Sequence, residues 1–457
     1  MTIVNRRRLS LVTAAAATIA TVSSLGLGTV TATAAESGSN TTSTTSTSST
    51  TSDGPAQVVL KVRNTDGCSL SSLDSRYPVV VDSPVLKSRG IYLVHGEDPA
   101  YQGSMEAAQK LAAQLAPQKC VAYAEPNFDL QLTGSGQFHS WGQFHSWQFH
   151  SWQFHSWDAS GSSPAGSEDY YKQQAVKQLG LPEAYKRSTG AGTTVAVLDT
   201  GIDAAHPAFK GRVTPGYDYV SDDSDPTDVA SGIDTNGDGY TDSGYGHGTF
   251  TAGLVALVAP GTKVMPMRVL DSDGNGNLFI IAQAILEAAD AGVDVVNLSF
   301  GTSSKVSSQL ITHAITNASK RGVVVVAAAG NEGNNAPTYP SSLAEVLSAG
   351  ALKEDVTALA DFSSFGDWVA VAAPGSALVG PVPGDRLARA SGTSMAAPVV
   401  AGQVALLAAY DGLAKGAEST AERRRAIVAR TAVAMKEVRS GKINVPASLK
   451  LAEKIVW

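Results

Sequence analysis

Cysteine is nearly absent from this chain. Its 457 residues include two, Cys68 and Cys120, so one disulfide at most is open to it, and the sequence alone does not say whether it forms. Charge is also sparse, at 16% of residues against 43% hydrophobic, which reads as globular rather than disordered. Basic residues are in deficit and the net charge is −7. With no basic stripe, a nucleic-acid partner is not expected. Beyond the N-terminus no run looks long and apolar enough to span a bilayer, so no stable membrane span is expected.

At its N-terminus the chain reads as an export signal over residues 1–35. Arg6-Arg7-Arg8 is a positive n-region, Leu9 to Gly28 is apolar and small, and Ala32-Thr33-Ala34 offers a small-x-small cleavage site. The arginines fit a twin-arginine signal loosely, and the general secretory route fits better. The processed protein is therefore expected to be secreted, and to be a monomer. Residues 36–56 are a Ser/Thr-rich linker, too polar to bury a core.

Residues 57–133 read as a small α+β module. Gln57 to Val62, Gly90 to His95 and Cys120 to Ala124 have strand character, and Met105 to Leu115 carries apolar residues at helical spacing. Residues 134–168 hold four copies of Gln-Phe-His-Ser-Trp. This tract reads as a solvated low-complexity linker, a histidine-rich metal tract or an aromatic strip for glycan or membrane-interface contact.

Residues 169–457 alternate Val-rich runs with helical segments, the pattern of a parallel sheet covered by helices on both faces. Sites in such sheets lie beyond the C-terminal strand ends. Asp199, Ser299 and Asn331 each follow a strand and are expected on that rim. Ser394, in Ser391-Gly392-Thr393-Ser394-Met395-Ala396-Ala397-Pro398, sits among small residues at the start of an apolar helix, as a nucleophile would. A serine hydroxyl needs a base and the base needs an orienting carboxylate. His247, in Gly246-His247-Gly248-Thr249, and Asp199, in Val197-Leu198-Asp199-Thr200-Gly201, supply them.

These motifs, in the order Asp, His, Ser, resemble the subtilisin-like serine proteases from about Gln178 to Ala409. The resemblance implies a serine endopeptidase with Asp199, His247 and Ser394 as its triad, and Asn331 of Ala329-Gly330-Asn331-Glu332-Gly333 in the oxyanion hole. It implies polypeptide substrates lying between the Ser299-Phe300-Gly301 segment and the Ala328-Ala329-Gly330 wall, with Tyr339-Pro340-Ser341 at the pocket base. No acidic residue is expected on that wall, which favours apolar or large side chains. The module at 57–133 resembles this family's inhibitory propeptide, a ferredoxin-like domain whose tail, here Phe128 to Thr133, lies in the cleft. Cys68 and Cys120 depart from that pattern, as do Phe250 and Val399 where the family often has further histidines. A sedolisin-type acid protease has a similar Gly-Thr-Ser segment but lacks a histidine motif like that of His247. The rival of another class is an inactive scaffold of the same fold that binds a glycan or surface through the repeat.

Asp234, Asn236, Asp238, Tyr240 and Asp242 follow the spacing of a calcium loop without flanking helices, so a structural Ca2+ is expected there. Asp290 and Asp294 read as solvated.

Overall fold

The computed structural model describes residues 57–82, 86–131, 168–237, 239–302, 308–410 and 418–455. The export signal, the Ser/Thr-rich linker and the repeats lie outside the described residues. Four strands build the N-terminal module: β1 (Gln57–Val62), β2 (Val79–Val81), β3 (Ile91–Gly96) and β4 (Val121–Pro126). They form an antiparallel sheet in the order β2-β3-β1-β4. That is the ferredoxin-like order, with the first crossover helix reduced to one 3-10 turn at Leu70–Ser72. The second crossover keeps its helix, α1 (Met105–Leu115), which starts where Ser104 accepts the Ala107 amide. Leu111 and Leu115 of α1 pack on Val58, Leu60 and Val94. The opposite sheet face, with Val59, Ile91 and Leu93, is buried against helices of the larger domain. Cys68 and Cys120 are bonded, pinning the shortened crossover to the start of β4.

After β5 (Asp129–Gln131) the described chain resumes at residue 168. Seven parallel strands then form the main sheet. In chain order these are β6 (Thr194–Asp199), β7 (Tyr217–Asp218), β8 (Lys263–Arg268), β10 (Val295–Leu298), β11 (Val324–Ala328), β12 (Val346–Leu352) and β13 (Val371–Pro374). The short β9 (Asn275–Asn277) lies outside this sheet and pairs with β5. The spatial order is β13-β12-β11-β10-β6-β8-β7. From β6 the chain winds one way through β8 and then reverses to β10, so a switch point opens between β6 and β10 at the C-terminal end of β6.

Alternation assigns each strand residue a side. Val195, Val197, Val324 and Val326 face α2 (His247–Val258) and α5 (Thr393–Tyr410). Ala196, Leu198, Val325 and Ala327 face α3 (Leu278–Asp290) and α4 (Gln309–Lys320). Helix α5 is buried almost all round, as its lack of a polar face requires. By length and composition it is apolar enough to cross a membrane, but 83% of it is buried inside the domain, as in the core helix of a folded protein. The chain ends in α6 (Glu418–Thr431) and α7 (Val445–Ile455).

Two polar residues of the module fix its seat. The Glu125 carboxylate accepts from the Ser308 hydroxyl and from the Gln309 and Leu310 amides, at 2.6, 2.8 and 2.8 Å. Asn127 Oδ1 accepts the Phe279 amide, and the Phe128 carbonyl accepts that of Leu278. Both N-terminal ends, of α4 and of α3, thus receive acceptors for amides that no helical bond can use. Asp294, read as solvated, is corrected. It is buried, its Oδ2 accepts the Thr194 amide, and Arg424 stands 3.7 Å away. The Val-rich flanks had marked a strand but could not reveal a cation arriving from α6.

Replacing Cys68 and Cys120 together by serine should cost the N-terminal module about 4 kcal/mol, the closure entropy of a loop of that size. Urea unfolding of the full chain with and without the substitutions, followed by a probe in the module, measures it.

Candidate active site

Asp199 is the last residue of β6, at the switch point, and is wholly buried. His247 is the first residue of α2. Its Nδ1 lies 2.7 Å from Asp199 Oδ1, with both side chains almost inaccessible to water. The same carboxylate oxygen accepts the Thr200 amide at 2.8 Å, and Oδ2 lies 3.1 Å from the Thr251 hydroxyl. Those acceptor contacts assign the imidazole proton to Nδ1, leaving Nε2 for base chemistry. Glycine makes the approach possible. A Cβ on Gly248 would stand 2.2 Å from the Gly201 carbonyl oxygen, so any larger residue would push α2 off the chain that follows Asp199.

Ser394 sits in the first turn of α5 and is buried. Pro398 has no N–H, so the carbonyl of residue 394, four positions earlier, loses its helical donor. The Ser299 hydroxyl supplies the missing bond at 2.9 Å. In return Ser394 Oγ donates to the Ser299 carbonyl at 2.8 Å. This exchange ties the nucleophile to the end of β10. It also sets a requirement, because the hydroxyl must turn from that carbonyl to hand its proton to an imidazole.

Asn331 is held by its amide oxygen. Oδ1 accepts the Thr393 amide at 2.8 Å and the Thr393 hydroxyl at 3.0 Å. Its Nδ2 is thereby turned the other way. A single point beside Gly392, where a Cβ would stand, is 3.7 Å from Asn331 Nδ2 and 3.7 Å from the Ser394 amide nitrogen. Two N–H donors from different elements therefore border one small space, the arrangement that holds an oxyanion.

Substrate edges follow from the backbone. β5 runs antiparallel to β9, with Asp129, Leu130 and Gln131 opposite Asn277, Gly276 and Asn275. The tail of the N-terminal module therefore occupies an edge strand that precedes α3. Ser299 is engaged with Ser394 through its hydroxyl and its carbonyl, and Phe300 is fully buried in the core, so neither side chain is presented to a peptide. Thr302 and Tyr339 pair across the next rung. On the opposite wall Ala328 and Ala329 are buried, and Thr338 Oγ1 donates to the Ala329 carbonyl. The expectation of a wall without acid is overturned. Glu332 accepts from the Ser364 hydroxyl at 2.9 Å, and a Cβ on Gly330 would meet its Oε2 at 2.4 Å. The sequence carried this residue one place after Asn331, but not the turn that folds it back.

Phe250 and Val399, which depart from the family's frequent histidines, are both core residues. A Cβ on Gly380 would lie 3.0 Å from three atoms of the Phe250 ring, so the ring lies flat on the β14 (Leu378–Val382) backbone. Thr251 was missed. It stands one helical turn after His247, and that spacing was the available signal.

The acids of the expected calcium loop hold backbone amides and keep lone pairs beside them. Asp234 spends its oxygens on the Gly237 and Gly239 amides, and Asp242 on the Ser231 and Gly232 amides. Asn236 Nδ2 donates to Ser243 Oγ and to the Asp273 carbonyl, and the donor expected of Tyr240 is its carbonyl, its side chain being exposed. Asp238 lies outside the described residues. Among the described residues no group of three His, Cys, Asp or Glu side chains converges for a metal. Alternate acidic residues in a glycine-rich turn satisfy backbone amides as readily as a cation, and spacing alone does not separate the two.

Asn331→Ala should lower kcat by about 10²–10³ with little change in KM, since its donor acts on charge formed in the transition state. Steady-state kinetics on a peptide substrate, with active sites titrated, read the effect.

The subtilase family model matches residues 190–448. A thermophilic serine proteinase from Bacillus sp. (strain AK1) is 41% identical over 228 residues, 48% of this chain and 52% of that protein. The aligned part thus spans about half of that relative. Thermitase from Thermoactinomyces vulgaris is 36% identical over 247 residues, 52% of this chain and 82% of thermitase. Among solved structures, a protease from Pseudoalteromonas arctica PAMC 21717 superposes with a TM-score of 0.55 at 29% identity, covering 64% of this chain and 100% of that one. With the sheet, the Asp199–His247 pair and Ser394 beside Asn331 in place, the match over more than half its length makes this chain a member of the subtilase family of serine proteases.

Proposed function

We propose that the chain is a secreted, monomeric serine endopeptidase, made as a precursor whose N-terminal module blocks the cleft until it is cut away. Two observations carry the catalytic part: Asp199 and His247 are paired at 2.7 Å, and the Ser394 amide and Asn331 Nδ2 border one point beside Gly392. In the reaction Ser394 Oγ attacks the scissile carbonyl carbon and its proton passes to His247 Nε2. Asp199 holds the imidazole by Nδ1 and offsets its positive charge. The carbonyl oxygen becomes an oxyanion that accepts from Asn331 Nδ2 and the Ser394 amide. The C–N bond then breaks, and His247 returns the proton to the leaving amine. Water repeats the sequence on the acyl-enzyme, giving its proton to His247 and restoring the Ser394 hydroxyl.

The zymogen part rests on β5. A peptide that binds by strand addition needs the free edge of β9, and the module's tail holds that edge. No step needs a metal. Calcium at residues 234–242 is supported by donor type and spacing alone, with Asp234 and Asp242 accepting loop amides while keeping lone pairs for a cation.

A fluorophosphonate probe should label Ser394 once the module is cleaved off, and should fail to label Ser394→Ala. N-terminal sequencing of the released enzyme should begin after residue 131. An intact chain that labels as fast as the cleaved one would refute the blocking role. The Glu332 carboxylate beside Gly330 should favour a basic over an acidic residue before the scissile bond. In that case the lysine-to-glutamate ratio of kcat/KM falls in Glu332→Gln.

A further inference from the structure

Helix α2 begins without a capping side chain. Its N-cap is Gly246, held at a φ of +89°, and the next residue is His247. The cap comes instead from a residue far upstream. Asp228 Oδ1 accepts the Gly246 amide at 3.1 Å, and Oδ2 accepts the Thr249 amide at 3.3 Å and the Thr249 hydroxyl at 2.7 Å. Asp228 is buried and takes no part in the proton transfers above.

The same residue grips the segment that leaves Asp199. Its amide donates to the Ile202 carbonyl, and a Cβ on Gly201 would meet the Asp228 amide nitrogen at 2.8 Å. Thr249 closes the ring, because its hydroxyl oxygen accepts the Asp203 amide at 2.9 Å while donating to Asp228. Alongside, Thr200 Oγ1 accepts the Gly248 amide at 2.9 Å. Asp228 and Thr249 thus join the turn after Asp199 to the first turn of the His247 helix. The sequence between Asp228 and Gly246, including the acidic Gly-rich stretch, leaves and returns at this clamp.

We propose that Asp228, acting with Thr249, is a positioning residue of the triad that sets the distance and angle of the His247–Asp199 bond. Keeping the carboxylate there is costly. Burial pushes it up to about 6, the Asp199 charge adds to the rise, and the Thr249 and Gly246 donors oppose it. A cap needed for helix stability alone would be served by a neutral side chain at Gly246. The charge instead spans two segments that a local cap cannot join. The inference rests on the protease reading, and part of its test is independent of activity.

The test uses the full-length chain carrying Asp228→Asn, Thr249→Val or Thr249→Ser, each cleaved to the active form and titrated for active sites. A misplacement of the base by about 1 Å costs about 10² in rate. Asp228→Asn and Thr249→Val are therefore expected to lower kcat at least tenfold with KM within about twofold, and Thr249→Ser to retain the parent kcat. The low-field proton resonance of His247 Nδ1 should shift or broaden in the first two and stay in place in the third. This resonance is observable in Ser394→Ala backgrounds, so it reports on the clamp even if the chain is no protease. Thr249→Val removes one hydroxyl and covers the case in which Asp228→Asn fails to fold. A folded Thr249→Val with the parent kcat and an unmoved resonance would overturn the proposal.

Discussion

The 2.7 Å bond between His247 Nδ1 and Asp199 Oδ1 joins two side chains that water scarcely reaches. Burying such a pair is tolerable only when its remaining hydrogen-bonding capacity is met and its geometry is held. The Thr200 amide and the Thr251 hydroxyl meet the first condition. The second falls to the backbone, where Gly248 and Gly201 approach so closely that no side chain fits between them. Strand end and helix start are thereby locked at contact distance, and the rest of the site is placed relative to that lock.

Ser394 reaches the site by a separate route. Pro398 frees its carbonyl, Ser299 claims it, and α5 is fixed to the end of β10. Asn331 is then aligned by Thr393 of that same helix start. Asp199, His247, Asn331 and Ser394 come from the end of β6, the start of α2, the turn after β11 and the start of α5, four places brought together by one parallel sheet and its switch point. Because both sheet faces are buried, strand register is strongly specified, and the strand ends converge at a defined rim.

The N-terminal module uses the same physics from the other side. Glu125 and Asn127 answer the unpaired amides of α4 and α3, and β5 answers the unpaired edge of β9. Each contact satisfies a group that the larger domain leaves unsatisfied on its own.

The sequence alone settled a good deal. Val-rich runs marked the parallel strands and amphipathic spacing marked α1. The motifs around Asp199, His247, Asn331 and Ser394 marked residues that follow strand ends or open helices, because local backbone chemistry demands particular residues at particular offsets. Other features belong to the tertiary structure. Asp294 and its arginine, Glu332 turned back on Gly330, and Asp228 capping a helix whose N-cap lies 18 residues later all depend on segments distant along the chain or folded back on themselves. A carboxylate in sequence has several possible partners: water, a cation, an amide or an arginine. Only the fold decides which donor arrives: it brought amides to Asp234 and Asp242, and an imidazole as well as an amide to Asp199.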